Sequence, residues 1–510
     1  MKFKLFKLLS VLFTSALMSL SLPSHGYNIA IGQLHATSVA YDHVTLRKNM
    51  PLARQIKKGH TLFEIKYDFD LHGETLKMPA DCILKFEGGH FINGKILFDE
   101  TIIESSYSEV FDQIAVEGTI ANREVRLSWW RLAYDKKIND AILINQVIEA
   151  IDNCVFYFDI LEDIYVGSDK TDGRSDETVA FLNKRNLVVI QPTEFYTILR
   201  GRSTTGGVVR CNENKYISID GLKVDGGHVS FEKFGENGIG VVGNEKVLIQ
   251  NCLIRNCYSN CFASNANGTL TKNGYPEWGS GGKGIQIEGG TVSTQAIIRN
   301  NSIRECYIGI SNNASDQENI IMDGNYIDSC YMSLILMRLG GTSKRMNVNI
   351  SNTIIANNTG DMGAICMGNA ANVNMTNTQV KGEGKLTSVL RGCFSYCNIQ
   401  MIVNQHCETL IDAALYRDNP EGKEAADNYV KIIADKSCDY IINTSSSVIP
   451  KQNGSRYTEF IGGNFDIIVQ GDVNKTFLVM PSANNTTQFT VRTRKTLRSG
   501  VADSINSKNR

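Results

Sequence analysis

The chain has 510 residues, of which 42% are hydrophobic and 21% charged, with a formal net charge of −1, so it is long enough to bury a large core. A near-neutral balance gives no electrostatic footprint for nucleic acid and argues against that class of partner.

Residues 1–26 carry Lys2, Lys4 and Lys7, an apolar run from Leu8 to Leu22, and then Ser24, His25 and Gly26. This is the pattern of a secretory signal peptide and predicts a periplasmic, cell-surface or secreted protein. No cysteine follows the run at a lipoprotein position, and no later stretch has 18 uninterrupted apolar residues, so no membrane span is expected.

Residues 27–130 form an N-terminal region that is irregular from Tyr27 to Gly59 and rich in strands from Thr61. There "TLFEIKYDFDL", "CILKFEGGHFINGKILFDETIIE" and "IAVEGTIANREVRLSWW" alternate apolar and polar residues between Gly and Asn turns. They predict early coils or a small β subdomain, closed by Trp129 and Trp130 as a packed junction. Within residues 131–185, Ile138, Ala141, Ile142, Ile144, Val147, Ile148 and Ile151 fall largely on one helical face, with Asn139 or Asp140 as N-cap. The segment predicts a helix capping exposed strand edges, followed by the strands "CVFYFDI" and "DIYVG".

Residues 186–450 are organised by a repeat. "VLIQNCLIRNCY", "AIIRNNSIRECY" and "IIMDGNYIDSCY" put Cys257, Cys306 and Cys330 in register, 49 and 24 residues apart, so one period carries 25 additional residues. Anchored on Val224, Ile254, Ile303, Ile327, Ile355 and Val380, the apolar positions recur five and seven residues earlier with polar residues between them, the two-residue period of a strand with one buried face. Three residues before each anchor stands Gly221, Asn251, Asn300, Gly324, Asn352 or Asn377, the two residue types that tolerate left-handed backbone. Strand, αL bend, second strand, loop and third strand every 24 to 30 residues predict stacked coils, a parallel β-helix. The three aligned cysteines are expected inside as small, polarizable hydrophobes.

Over residues 186–412 the chain resembles the right-handed parallel β-helix proteins of the pectate-lyase-like superfamily. That resemblance implies an all-β solenoid acting on or binding a polysaccharide. It leaves lyases, hydrolases, epimerases and non-catalytic adhesins all in play.

The third strands, "GIGVV", "GIQIE", "IGISN", "SLILM" and "AICMG", are expected to present Gly240, Gln286, Glu288, Gly309, Ser311 and Ser333 outward as a shallow floor of mostly small residues. The insertion from Ser259 to Lys283 rises beside it with Tyr275 and Trp278 as sugar-stacking candidates, and Arg338 joins them and Gln286 as a substrate-binding candidate. On an acidic glycan, Lys283 or His228 would be the base of a β-elimination, and Glu288 with Asp316 could hold Ca2+. Arg391 is assigned to a later loop or turn. Each of these charges is also what a solvated loop carries. The paired signatures of pectin hydrolases (Asn-Thr-Asp, Asp-Asp, Gly-His-Gly) are absent. The leading expectation is a lyase or hydrolase of an acidic glycan. The rival is a non-catalytic glycan-binding or adhesin-like solenoid, as a monomer or a trimer. Residues 451–494 predict a C-terminal β element and residues 495–510 a disordered tail.

Overall fold

Why the repeat folds as it does is visible in its register. In a computed structural model describing residues 40–167, 178–201, 207–227, 237–257, 282–288, 295–314, 319–338, 347–358, 363–413, 424–443, 459–461, 463–477, 482–483 and 488–493, the anchors stack in one line. Val224 pairs with Ile254, then Ile303, Ile327, Ile355 and Val380, every step parallel and in register. The columns through Ile249, Ile298, Met322 and Ile350 and through Val247, Ala296, Ile320 and Val348 do the same. Each expected bend residue is left-handed, from φ 46° at Asn377 to φ 80° at Gly221. A side chain hydrogen-bonding to backbone one coil away holds the bends: Asn301 Oδ1 takes the Cys252 N–H at 3.0 Å and Asn325 Oδ1 takes the Asn301 N–H at 3.1 Å.

The described strands of these coils form a 20-stranded and an 11-stranded sheet, and the pairings from coil to coil are parallel. The protein is a parallel β-helix. A compact unit runs from His43 to Arg510. The predicted signal segment and the predicted tail at 495–510 lie outside the described residues. No helix among the described residues is long and apolar enough to cross a membrane.

The N-terminal region is more regular than its sequence predicts. Strands Thr61–Ile65, Ile83–Phe86 and Phe91–Ser105 pair parallel, as do Phe91–Ser105 and Phe111–Ile120, making short coils whose core is continuous with the main solenoid. The stretch expected to be irregular also contains a strand, Asp42–Thr45, and a helix of one turn, Leu52–Gln55. Trp130 is fully buried and stacks on Phe111, ring centroids 5.3 Å apart, as a packed junction requires. The predicted helix forms at Ala141–Ala150, where Asn139 Oδ1 accepts the Ala141 N–H at 3.1 Å. Asn145 on that helix accepts the Ala180 N–H and donates to the Thr178 carbonyl, satisfying backbone of the first strand of the 11-stranded sheet.

Eleven cysteines among the described residues are buried and outside any disulfide, Cys257, Cys306 and Cys330 included. Burial pushes the thiols of Cys306 and Cys330 up, which keeps them protonated and unreactive.

One interior position breaks the pattern. Asn312 occupies the inward column between Ile287 and Leu336, is fully buried, and neither side-chain polar atom has a hydrogen-bond partner among the described residues. A desolvated amide costs about 1–3 kcal/mol. Asn312→Leu is therefore expected to raise the urea midpoint, and a fall in that midpoint would show that the amide is satisfied.

Candidate active site on the outer face of the 11-stranded sheet

The coil corner breaks strict alternation along each strand of this sheet. An outward residue is followed by two consecutive inward ones and then another outward one. The glycines show why: a Cβ on Gly284 would stand 2.5 Å from Ile303 Cγ2, and one on Gly309 would stand 2.5 Å from Ile327 Cγ2, both in the core. The expected floor is corrected accordingly. Gly309 and Ser333 face inward and are not part of it, whereas Gly240, Gln286, Glu288 and Ser311 lie on the outer side.

The outer face is also not small-residue throughout. Ile308, Met332, Ile335 and Cys366 form an apolar cluster separate from the main core, with Tyr307 stacked on Tyr331 at 5.1 Å. Beyond it Arg391, which sequence placed in a loop or turn, lies in the strand Leu386–Ser395. It is buried against Asp412, Nε to Oδ2 3.7 Å.

Polar groups gather on the strand Lys283–Glu288. Lys283, Gln286 and Glu288 share its outer side, so three of the predicted site residues are brought together. Lys283 is 5% exposed; burial lowers its ammonium to about 8, with the Glu288 charge pulling the other way. Asn237, one coil earlier, accepts the Lys283 backbone N–H on Oδ1 at 3.1 Å and donates from Nδ2 to Gln286 Oε1. Gln286 in turn donates from Nε2 to Glu288 Oε1. In the column through Gln286, the preceding coils place Gly240 and then Arg210, an exposed cation two strands away. Neighbouring strands lie about 4.8 Å apart, so Arg210 and Gln286 are roughly 10 Å apart at their α-carbons, with bare backbone between them.

Sequence reasoning missed Asn237 and Arg210. Arg210 was findable, since "VVRCNE" aligns with "GIGVV" and "GIQIE" once the columns are drawn. Asn237 was not, because its partners are 46 and 49 residues away, beyond the insertion.

His228, Tyr275, Trp278 and Asp316 lie outside the described residues, and of Arg338 only the backbone, ending the strand Met332–Arg338, is described. Of the two carboxylates expected to hold Ca2+, Glu288 is therefore the one described. Among the described residues no three of His, Cys, Asp and Glu come together as a metal site.

No protein-family model matches the chain, and no curated protein matches it. Among solved structures it is similar to ORF18 of Geobacillus virus E2, at 13% identity and TM-score 0.34, over 74% of this chain and 63% of that one. The chain thus spans less than two thirds of the viral protein. It is also similar to the A-module of the Azotobacter vinelandii mannuronan C-5 epimerase AlgE6, at 12% identity and TM-score 0.45, over 73% of this chain and all of the module.

Proposed function

We propose that this is an exported, carbohydrate-active β-helix protein of the pectate-lyase-like superfamily that cleaves an acidic polysaccharide by β-elimination on the outer face of the 11-stranded sheet. The observation that carries the proposal is Lys283, a buried amine held at about 8 beside a carboxylate. A base near neutrality is what proton abstraction next to a carboxylate needs, and lysine tuned by burial supplies it.

In this reaction the Lys283 Nζ lone pair takes the proton from the carbon bearing the uronate carboxylate. The C–H electron pair forms a double bond to the adjacent carbon, the glycosidic C–O bond at that carbon breaks, and the departing oxygen takes a proton from solvent. Arg210 faces the carboxylate across the Gly240 gap and balances the charge that builds there. The Glu288 charge, which acts on Lys283 without a direct contact, favours the protonated lysine once the proton has moved.

The test is ultraviolet absorbance of the purified protein with a panel of uronate polysaccharides, with calcium and with a chelator. The expected result is rising absorbance from unsaturated products on at least one polymer, faster as pH increases through about 8. A flat trace on every polymer together with retention on a glycan array would replace the lyase by a non-catalytic binding solenoid.

A further inference from the structure

We infer that Asn237 is a positioning residue whose side chain, acting through Gln286, fixes Glu288 Oε1 as a hydrogen-bond acceptor at this site. An asparagine amide has one accepting and one donating end, and here the backbone decides which is which. Asn237 Oδ1 is committed to the Lys283 backbone N–H, a group that can only donate. Its Nδ2 must then face Gln286, which accepts with Oε1 and has only Nε2 left for Glu288. Every donor in the relay points the same way, from the Lys283 backbone through two amides to a carboxylate oxygen. A proton on Glu288 Oε1 would meet an N–H, donor against donor.

At the register of Glu288 the flanking strands carry Val242 and Asn313, and at that of Gln286 they carry Gly240 and Ser311, none of which titrates in the range of a carboxylate. The Glu288 charge acts on Lys283, favouring its ammonium against the effect of burial.

The catalytic consequence rests on the proposed function: with Oε1 held by Gln286, the Glu288 charge is kept in place for the Lys283 ammonium that forms when the proton moves. The hydrogen-bond assignment is independent of that reading.

The test is a double-mutant cycle on thermal stability, read at several pH values. Asn237→Asp keeps the shape and the acceptor for the Lys283 N–H but cannot donate. Gln286 must then turn its amide, setting Oε1 against Glu288, acceptor against acceptor. At pH 8 this variant is expected to lower Tm by roughly 2–4 °C, with the loss disappearing as pH falls and the introduced carboxyl takes a proton that it can donate to Gln286. Glu288→Gln, whose amide can turn either way, is expected to change Tm little. Combined with Asn237→Asp it should restore most of the loss at pH 8, although residues 237 and 288 are bridged only through Gln286. Additive effects, or a loss from Asn237→Asp that does not vary with pH, would overturn the inference. Coupling without turnover of any polysaccharide would uphold the positioning role and remove the lyase alone.

Discussion

Replacing Lys283 by methionine is expected to lower turnover of a uronate polymer by about 100- to 10,000-fold, the usual worth of a positioned base, while making the protein more stable. The two effects have one cause. Lysine ordinarily titrates at 10.5 and here is lowered to about 8, so between those values the unfolded chain binds more protons than the folded one. Burial of the ammonium therefore costs stability in full below pH 8, and the cost fades as pH rises toward 10.5. At about 1.36 kcal/mol per unit, its removal is worth up to about 3 kcal/mol at pH 7. Methionine fills a similar volume without the charge, so its gain should be present at pH 7 and absent above pH 10.5, as measured by urea midpoints. A lysine that merely held the coil together would behave in the opposite way, losing stability on replacement. A variant that kept a tenth or more of the activity, or that unfolded more easily at pH 7, would remove Lys283 as the base.

A costly buried charge is the kind of local inconsistency that stability alone does not explain. The rest of the solenoid shows the contrast. Its columns of Ile, Val and Met repeat with so little variation that pairing register, αL bends and the interior cysteine stack could all be drawn from sequence. Strict periodicity made them legible: one buried face, one period, one residue type tolerated at the bend. The outer face was only partly legible. Two successive inward residues at the corner, Gly284 with Ile285 and Gly309 with Ile310, shift the alternation and misplace the outward set if it is counted by twos. The site depends on contacts between coils, which carry no local signal. The relay from Asn237 joins residues on either side of an insertion, and a single sequence contains nothing that says which side-chain amide will face which.

The outward row one residue after each anchor leads to the largest expected loss of stability. Asp225 sits between Arg200 and Arg255 on the adjacent strands, in register with both, and is itself buried at 3% exposure. The row mixes both signs, Asp225, Arg255, Arg304, Asp328 and Lys381, and exposed pairs in such a row add little stability each. The pairs form, but Asp225 is not an ordinary surface partner. Its Oδ2 accepts from Arg200 Nη1 at 3.2 Å and Arg255 Nε at 3.0 Å, and its Oδ1 from the Gly227 N–H at 2.9 Å and Asn256 Nδ2 at 3.1 Å. Four donors from several segments converge on one carboxylate. Asp225→Ala removes the acceptor and leaves two guanidinium groups facing each other over a buried gap. Breaking a buried pair in this way costs about 3–5 kcal/mol; because both arginines are about a third exposed and Arg200 also pairs with Asp163, roughly 2–3 kcal/mol is expected after solvent screening. Asp225→Asn keeps an oxygen for Gly227 and Asn256 but sets an amide N–H toward the arginines, so it should recover less than half of the loss. Urea unfolding of the two variants checks this. An alanine variant within 0.5 kcal/mol of the parent would mean that the arginines find water as readily as they find Asp225, and that the stacked apolar columns hold these coils together without help from the charged row.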